Sequence, residues 1–160
     1  MKKDIKKELL LGLIERSSIV FLIFIFLFSC KYIKNPNKSI LIVSEDSEYK
    51  NQLVKILLKE LKKKSFFIKV IDVTYESTSI DSVIMDDWKS IIIINSIKAR
   101  RLNWYVENFI VKNNLNSKIV LINTSDSGEA KTDHNIDAIT TASNMNQIGT
   151  IKDLILDRIN

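Results

Sequence analysis

The chain has 160 residues, of which 24 are basic and 19 acidic, giving a net charge of +5, with one histidine, one cysteine and one proline. A lone cysteine leaves no disulfide framework, and with a single histidine it leaves no Cys/His zinc centre, so no metal ligands are assigned. The excess charge invites a nucleic-acid partner, but from Cys30 onward 19 basic residues stand against 16 acidic ones and no recognition module accompanies them, so none is expected.

The chain opens with Lys2, Lys3, Lys6, Lys7 and Arg16 against Asp4, Glu8 and Glu15, a net of +2 ahead of ten apolar residues at 19–28. Ten residues fall short of the about 20 that a helix needs to cross a bilayer, but suit the apolar core of a secretory leader. The run ends in Leu27-Phe28-Ser29-Cys30-Lys31. That ending resembles the lipobox of bacterial lipoproteins, matching it at Leu27, Ser29 and Cys30, while Phe28 stands where a small residue is usual. The resemblance implies a signal peptide over 1–29, cleaved before Cys30, which becomes the lipidated N-terminus. The protein is then expected on the cell membrane or outer membrane, lipid-anchored through Cys30, with its domain extracytoplasmic. Two alternatives stay open: an uncleaved anchor helix over 17–33 with Lys31 reaching the interface, or a helix buried in a core.

Residues 30–38 read as a basic tether. The eight residues after Cys30 include three lysines and the only proline, and span at most roughly 25–30 Å when extended. A protein partner of unknown identity is therefore expected close to the membrane.

From Ser39 to the C-terminus, short apolar runs alternate with helical periodicity, the pattern of an α/β domain whose parallel sheet is covered on both faces. Ser39 to Ser44 reads as a buried strand. Ser47 suits an N-cap, followed by a helix whose stripe is Leu53, Val54, Leu57, Leu58 and Leu61. Phe66 to Val73 reads as an edge strand, and Ile80, Val83 and Ile84 as one short helix. Ile91 to Ile94, between Ser90 and Asn95, gives the strongest strand signal and belongs at the sheet centre. A helix is expected over about 99–113, with Leu102, Tyr105, Val106, Phe109 and Ile110 on its buried face. Strands follow at 118–123 and 137–141, then a helix over about 145–159 burying Ile148, Ile151, Leu154, Ile155 and Ile159. These five strands resemble the flavodoxin-like arrangement: a three-layer, five-stranded parallel sheet in the order 2-1-3-4-5. One departure is expected, because Thr124 to Ile136 carries no apolar stripe and the helix between strands four and five should be absent or vestigial.

Sheets of this kind bind ligands beyond the C-terminal ends of their strands, where strand order reverses between the first and third. That places Ser44, Ser47, Asn95, Ser96 and Arg100 at a candidate ligand site, with Thr124, Ser125 and Thr140 along the same edge. Flavodoxins carry here a loop of hydroxyls and glycine that cradles the FMN phosphate at a helix N-terminus. The stretch Ser44-Glu45-Asp46-Ser47-Glu48 offers two hydroxyls, no glycine and three carboxylates, which repel a phosphate dianion. The same stretch is similar to the acidic first strand end of response-regulator receivers, with Glu45 and Asp46 as the pair. A receiver's phospho-acceptor aspartate would fall at Asn95, so phosphotransfer is not expected. The acids instead suit a helix N-terminus and pairing with Arg100 and Arg101.

Trp104 is expected to flank that edge and Tyr105 to lie in the core. Ser125 and Ser127 have only His134 as a possible base, without a nucleophile-elbow motif, so no catalytic residues are assigned. The function expected is a membrane-anchored lipoprotein with a non-catalytic binding or interaction domain, more binding module than enzyme. Its alternative is an FMN-binding redox protein, although no cofactor is assigned.

Overall fold

The computed structural model describes residues 35–74, 80–98, 101–113, 116–126 and 137–159. All of them belong to one compact unit, Lys34–Asn160. The leader, Cys30, Arg100, Gly128, Ser127, His134 and most of the stretch between the fourth and fifth strands lie outside the described residues.

The sheet has five parallel strands in the order β2-β1-β3-β4-β5: β1 Ser39–Ser44, β2 Phe67–Asp72, β3 Ser90–Ser96, β4 Ile119–Ser125 and β5 Ala138–Ala142. This is the flavodoxin-like order expected from the sequence. Among the described residues the α-helices are α1 Glu48–Lys63, α2 Trp104–Lys112 and α3 Ile148–Ile159. β1 is buried along its whole length because it lies between β2 and β3 with side chains entering both faces. That double burial is why its sequence, S-I-L-I-V-S, shows a continuous apolar run rather than alternation.

Alternate strand residues build two separate cores. Ile40, Ile42, Ile92, Ile94, Val120 and Ile122 face Leu53, Leu57 and Leu61 of α1 and Ile151, Ile155 and Ile159 of α3. Leu41, Val43, Ile91, Ile93 and Leu121 face Tyr105, Val106, Phe109 and Ile110 of α2. Each of the fully buried leucines of α1 contributes about 1.5–3 kcal/mol by leaving water. The edge strand β2 is half exposed, with Phe67 stacked on Trp88 at 6.4 Å between ring centroids.

Several expected boundaries move. No α-helix forms over 80–88. Ile80 heads a turn through its carbonyl to Val83 N–H, and Met85–Asp87 make one 3-10 turn, so Ile80 and Trp88 seal the α2 face from irregular chain. Ser and Asp residues in this stretch compete with the backbone for helical hydrogen bonds. Its apolar residues also do not share one face, since Ile80 is buried and Ile84 is exposed. The helix expected from residue 99 begins only at Trp104. Lys98 and Arg101 exchange backbone hydrogen bonds of 3.1 and 3.0 Å, which uses the groups that would have continued a helix backward. The last helix likewise begins at Ile148, after a 3-10 turn over Met145–Gln147, and Leu154 is exposed rather than buried.

At the end of α1 the chain leaves through a left-handed residue, Ser65, at φ 59°. Ser65 N–H donates to Lys62 O and Phe66 N–H to Leu61 O, closing the helix in a Schellman-like turn that usually places glycine at the left-handed position.

Candidate functional site

The C-terminal edge of the sheet is built by the ends of β1, β3 and β4 and by the first turns of α1 and α2. Strand order reverses between β1 and β3, and the loop that leaves β1 there is only Glu45-Asp46-Ser47. Ser47 caps α1, its Oγ accepting from Lys50 N–H at 3.3 Å and its carbonyl from Asn51 N–H at 2.8 Å. Asp46 N–H donates to Thr74 Oγ1, and the Asp46 carboxylate accepts from Asn51 Nδ2 at 2.7 Å.

The loop brings the Glu45 carboxylate inward, to the middle of a polar network. Its Oε2 accepts from Lys50 Nζ and from Ser96 N–H, the latter at 3.3 Å. Its Oε1 accepts from Asn103 Nδ2 and from the Tyr105 hydroxyl, the latter at 3.1 Å. Lys50 Nζ also donates to Ser96 Oγ at 2.6 Å, and Asn103 Nδ2 to Tyr105 Oη at 2.8 Å. The Lys50 side chain is 3% exposed and that of Glu45 12%. Burial alone would raise the Glu45 carboxyl, but the hydrogen bond and charge of Lys50, with Ser96 and Tyr105, outweigh it and hold the group below its ordinary value. The Tyr105 hydroxyl moves the other way. Burial raises it first, and the Glu45 charge and hydrogen bond raise it further, so it stays protonated as a donor.

Lys50 is the residue that sequence reasoning missed, and its spacing carried the signal. Lys50, Leu53, Leu57 and Leu61 share the buried stripe of α1, so a lysine on that stripe must reach an acceptor inside. Among the described residues the cation that pairs with Glu45 is this lysine. Arg101 is exposed, and Arg100 lies outside the described residues. Asn103 was likewise unforeseen. It occupies the N-cap of α2 without making a side-chain cap, and its Nδ2 donates instead to Glu45 and Tyr105.

The other expected residues divide between the two faces of the sheet. Ser44 is buried and its Oγ donates to Glu45 O at 3.1 Å. Ser96 joins the network directly. Thr124 is buried with its Oγ1 donating to Asn95 O at 3.2 Å, and Ser125 ends β4. Asn95 and Asn123 lie side by side in register, 1% and 2% exposed. Asn95 Nδ2 donates to Ser96 O at 2.7 Å, while the Oδ1 atoms of both asparagines have no hydrogen-bond partner. Thr140 is exposed, and its neighbour Thr141 is the inward hydroxyl of β5, bonded to Ala142 O and to Gln147 Oε1. Tyr105 is buried as expected, and Trp104 beside it is exposed with its ring edge-on to Tyr105 at 6.1 Å.

This edge does not fit the phosphate of FMN. The loop has no glycine, its Asp46 amide and the Lys50 and Asn51 amides of α1 are already bonded within the chain, and the Glu45 carboxylate lies at the switch point. Among the described residues no group of three or more His, Cys, Asp or Glu is placed to hold a metal ion, and no helix is long and apolar enough to cross a membrane.

No protein-family model matches the sequence. No curated protein matches it either. Solved structures do resemble it. Two variants of a flavo di-iron protein from Thermotoga maritima superpose with TM-scores of 0.55 and 0.54 at 14% and 13% identity, each covering 77% of this chain. The rubredoxin oxygen:oxidoreductase of Desulfovibrio gigas superposes with a TM-score of 0.50 at 9% identity over 79% of this chain. In each case the match spans only 36% of the other protein. At such identities the likeness concerns the fold, and the domain of this chain is an α/β domain of the flavodoxin-like fold.

Proposed function

We propose that this is a lipid-anchored envelope protein whose flavodoxin-like domain binds a partner near the membrane and catalyses no reaction. The single observation that carries the non-catalytic part is the Glu45 carboxylate, seated among Lys50, Ser96, Asn103 and Tyr105 at the switch point. These donors are matched to one negative charge, which the chain itself supplies, and Glu45 and Asp46 beside them repel the dianionic phosphate of a flavin. The anchor rests on Leu27, Ser29 and Cys30 at the end of the apolar run, together with the short tether behind them. Growth of the expressing cell with labelled palmitate tests it. Label is expected in the wild-type chain and absent from Cys30→Ala, and label surviving that substitution would sink the anchor.

A second reading is favoured by the likeness to proteins whose names begin with flavo: an FMN-binding redox domain. It requires the flavin phosphate to sit elsewhere than at the β1–α1 loop. Purification separates the two readings, a colourless protein being expected and a yellow one with stoichiometric flavin contradicting the binding module.

A further inference from the structure

We propose that the donors around Glu45 form a carboxylate-binding site which the chain closes with its own side chain, and that a partner's carboxylate enters by displacing Glu45. The inference rests on the reading of this edge as a binding edge and is independent of the anchor.

Four donors from three elements converge on one group: Lys50 Nζ from α1, Ser96 N–H from the end of β3, and Asn103 Nδ2 and Tyr105 Oη from the start of α2. Two of the donors belong to the interior, Lys50 and Tyr105 being buried in the two opposite layers of the domain, while Ser96 and Asn103 are half-buried. The acceptor belongs to the rim, on a three-residue loop, and its side chain is the more exposed of the ion pair. Rotation about the Glu45 side-chain bonds therefore vacates the site without moving the backbone, which the Asp46 amide and the Ser47 cap hold in place.

Two further observations concern the groups beside these donors. Asn103 makes no side-chain cap on α2, and its Nδ2 donates to this carboxylate. Asn95, which precedes Ser96, and its neighbour Asn123 keep buried Oδ1 atoms without a hydrogen-bond partner.

The chemistry selects the ligand class. Glu45 is a template for a planar group with two oxygens and one negative charge. Once displaced, Glu45 remains at the rim with Asp46 and Glu48, which disfavours a phosphate dianion more than a carboxylate monoanion. A tethered competitor acts at millimolar effective concentration or above, so small free carboxylates bind the wild type weakly and a partner must add contacts of its own.

The test uses the full chain carrying Glu45→Ala, with its thermal midpoint followed against sodium acetate, sodium phosphate and sodium chloride at matched ionic strength. Acetate is expected to raise the midpoint saturably, by several degrees, with phosphate weaker and chloride flat. The response should vanish in Glu45→Ala/Lys50→Met and should need at least about tenfold more acetate in the wild type. A midpoint of Glu45→Ala that responds to acetate no more than to chloride overturns the proposal and leaves a structural ion pair. Should Glu45→Ala fail to fold, amide spectra of the wild-type chain under acetate decide instead. Saturable shifts of the Ser96 backbone and Asn103 side-chain amides support the site, and unchanged amides refute it. A chain that showed the acetate response and also bound FMN would sink the non-catalytic reading alone.

Discussion

Lys50→Met removes the cation that pairs with Glu45 among the described residues while keeping the length and apolar stem of the side chain. Breaking a buried pair by deleting one partner costs about 3–5 kcal/mol, because a charge is left without compensation. Here the remaining carboxylate keeps Ser96 N–H, Asn103 Nδ2 and Tyr105 Oη and stands at the rim, which places the expected cost near the lower limit, about 3 kcal/mol at pH 7. Urea unfolding followed by far-UV circular dichroism measures it. The double variant Glu45→Gln/Lys50→Met should cost less than the two single changes together, with a coupling of about 2 kcal/mol.

The pH dependence carries the sign. The wild-type Glu45 carboxyl is held below its ordinary value of 4.5, so the stability it contributes is fully present above that pH and is lost as pH falls through the lower folded value. In Lys50→Met, burial is no longer outweighed and the carboxyl rises. The folded state then favours its acid form, and the penalty of the substitution shrinks between pH 7 and pH 4. A Lys50→Met chain within about 0.5 kcal/mol of wild type, or a penalty that grows on acidification, would show that Lys50 does not stabilise the Glu45 charge.

Tyr105→Phe removes a hydrogen bond to a charged acceptor and should cost about 1.5–3 kcal/mol by the same unfolding assay. Because the Tyr105 hydroxyl is held above its ordinary value of 10.0, its contribution is complete below that pH and declines as pH rises toward the folded value, a decline that Tyr105→Phe should lack. Ser65→Gly relieves a left-handed backbone carrying a side chain and should stabilise the fold by about 0.5–1 kcal/mol, read as a rise in the urea midpoint without a change in slope. Leu57→Ala deletes a fully buried contact between α1 and the sheet and should cost about 2–5 kcal/mol.

Strands were easy to read where both faces are buried, as at Ile40 to Val43 and Ile91 to Ile94, since β-branched runs of that length have few other uses. Helices were less legible wherever an apolar residue packs from a loop. Leu102 fits the periodicity of α2 but is buried ahead of it, and Ile80 fills the core from a turn. In β5 the sequence offered two adjacent threonines, and only the register of the sheet decides that Thr141 faces inward rather than Thr140. The site was legible as a place, because topology alone puts ligands at the β1/β3 switch. Its content was not, since a lysine is ordinarily a surface residue and the inward turn of Glu45 depends on contacts up to 60 positions apart. Nothing local in the sequence announces a contact between Glu45 and Tyr105.

With its switch point filled by its own Glu45 carboxylate, this flavodoxin-like domain is expected to leave FMN unbound. Titration of the full chain into a dilute FMN solution, with flavin fluorescence as the readout, tests it most directly. Fluorescence is expected to stay unchanged as protein is added in large excess. Stoichiometric quenching at micromolar protein would contradict it.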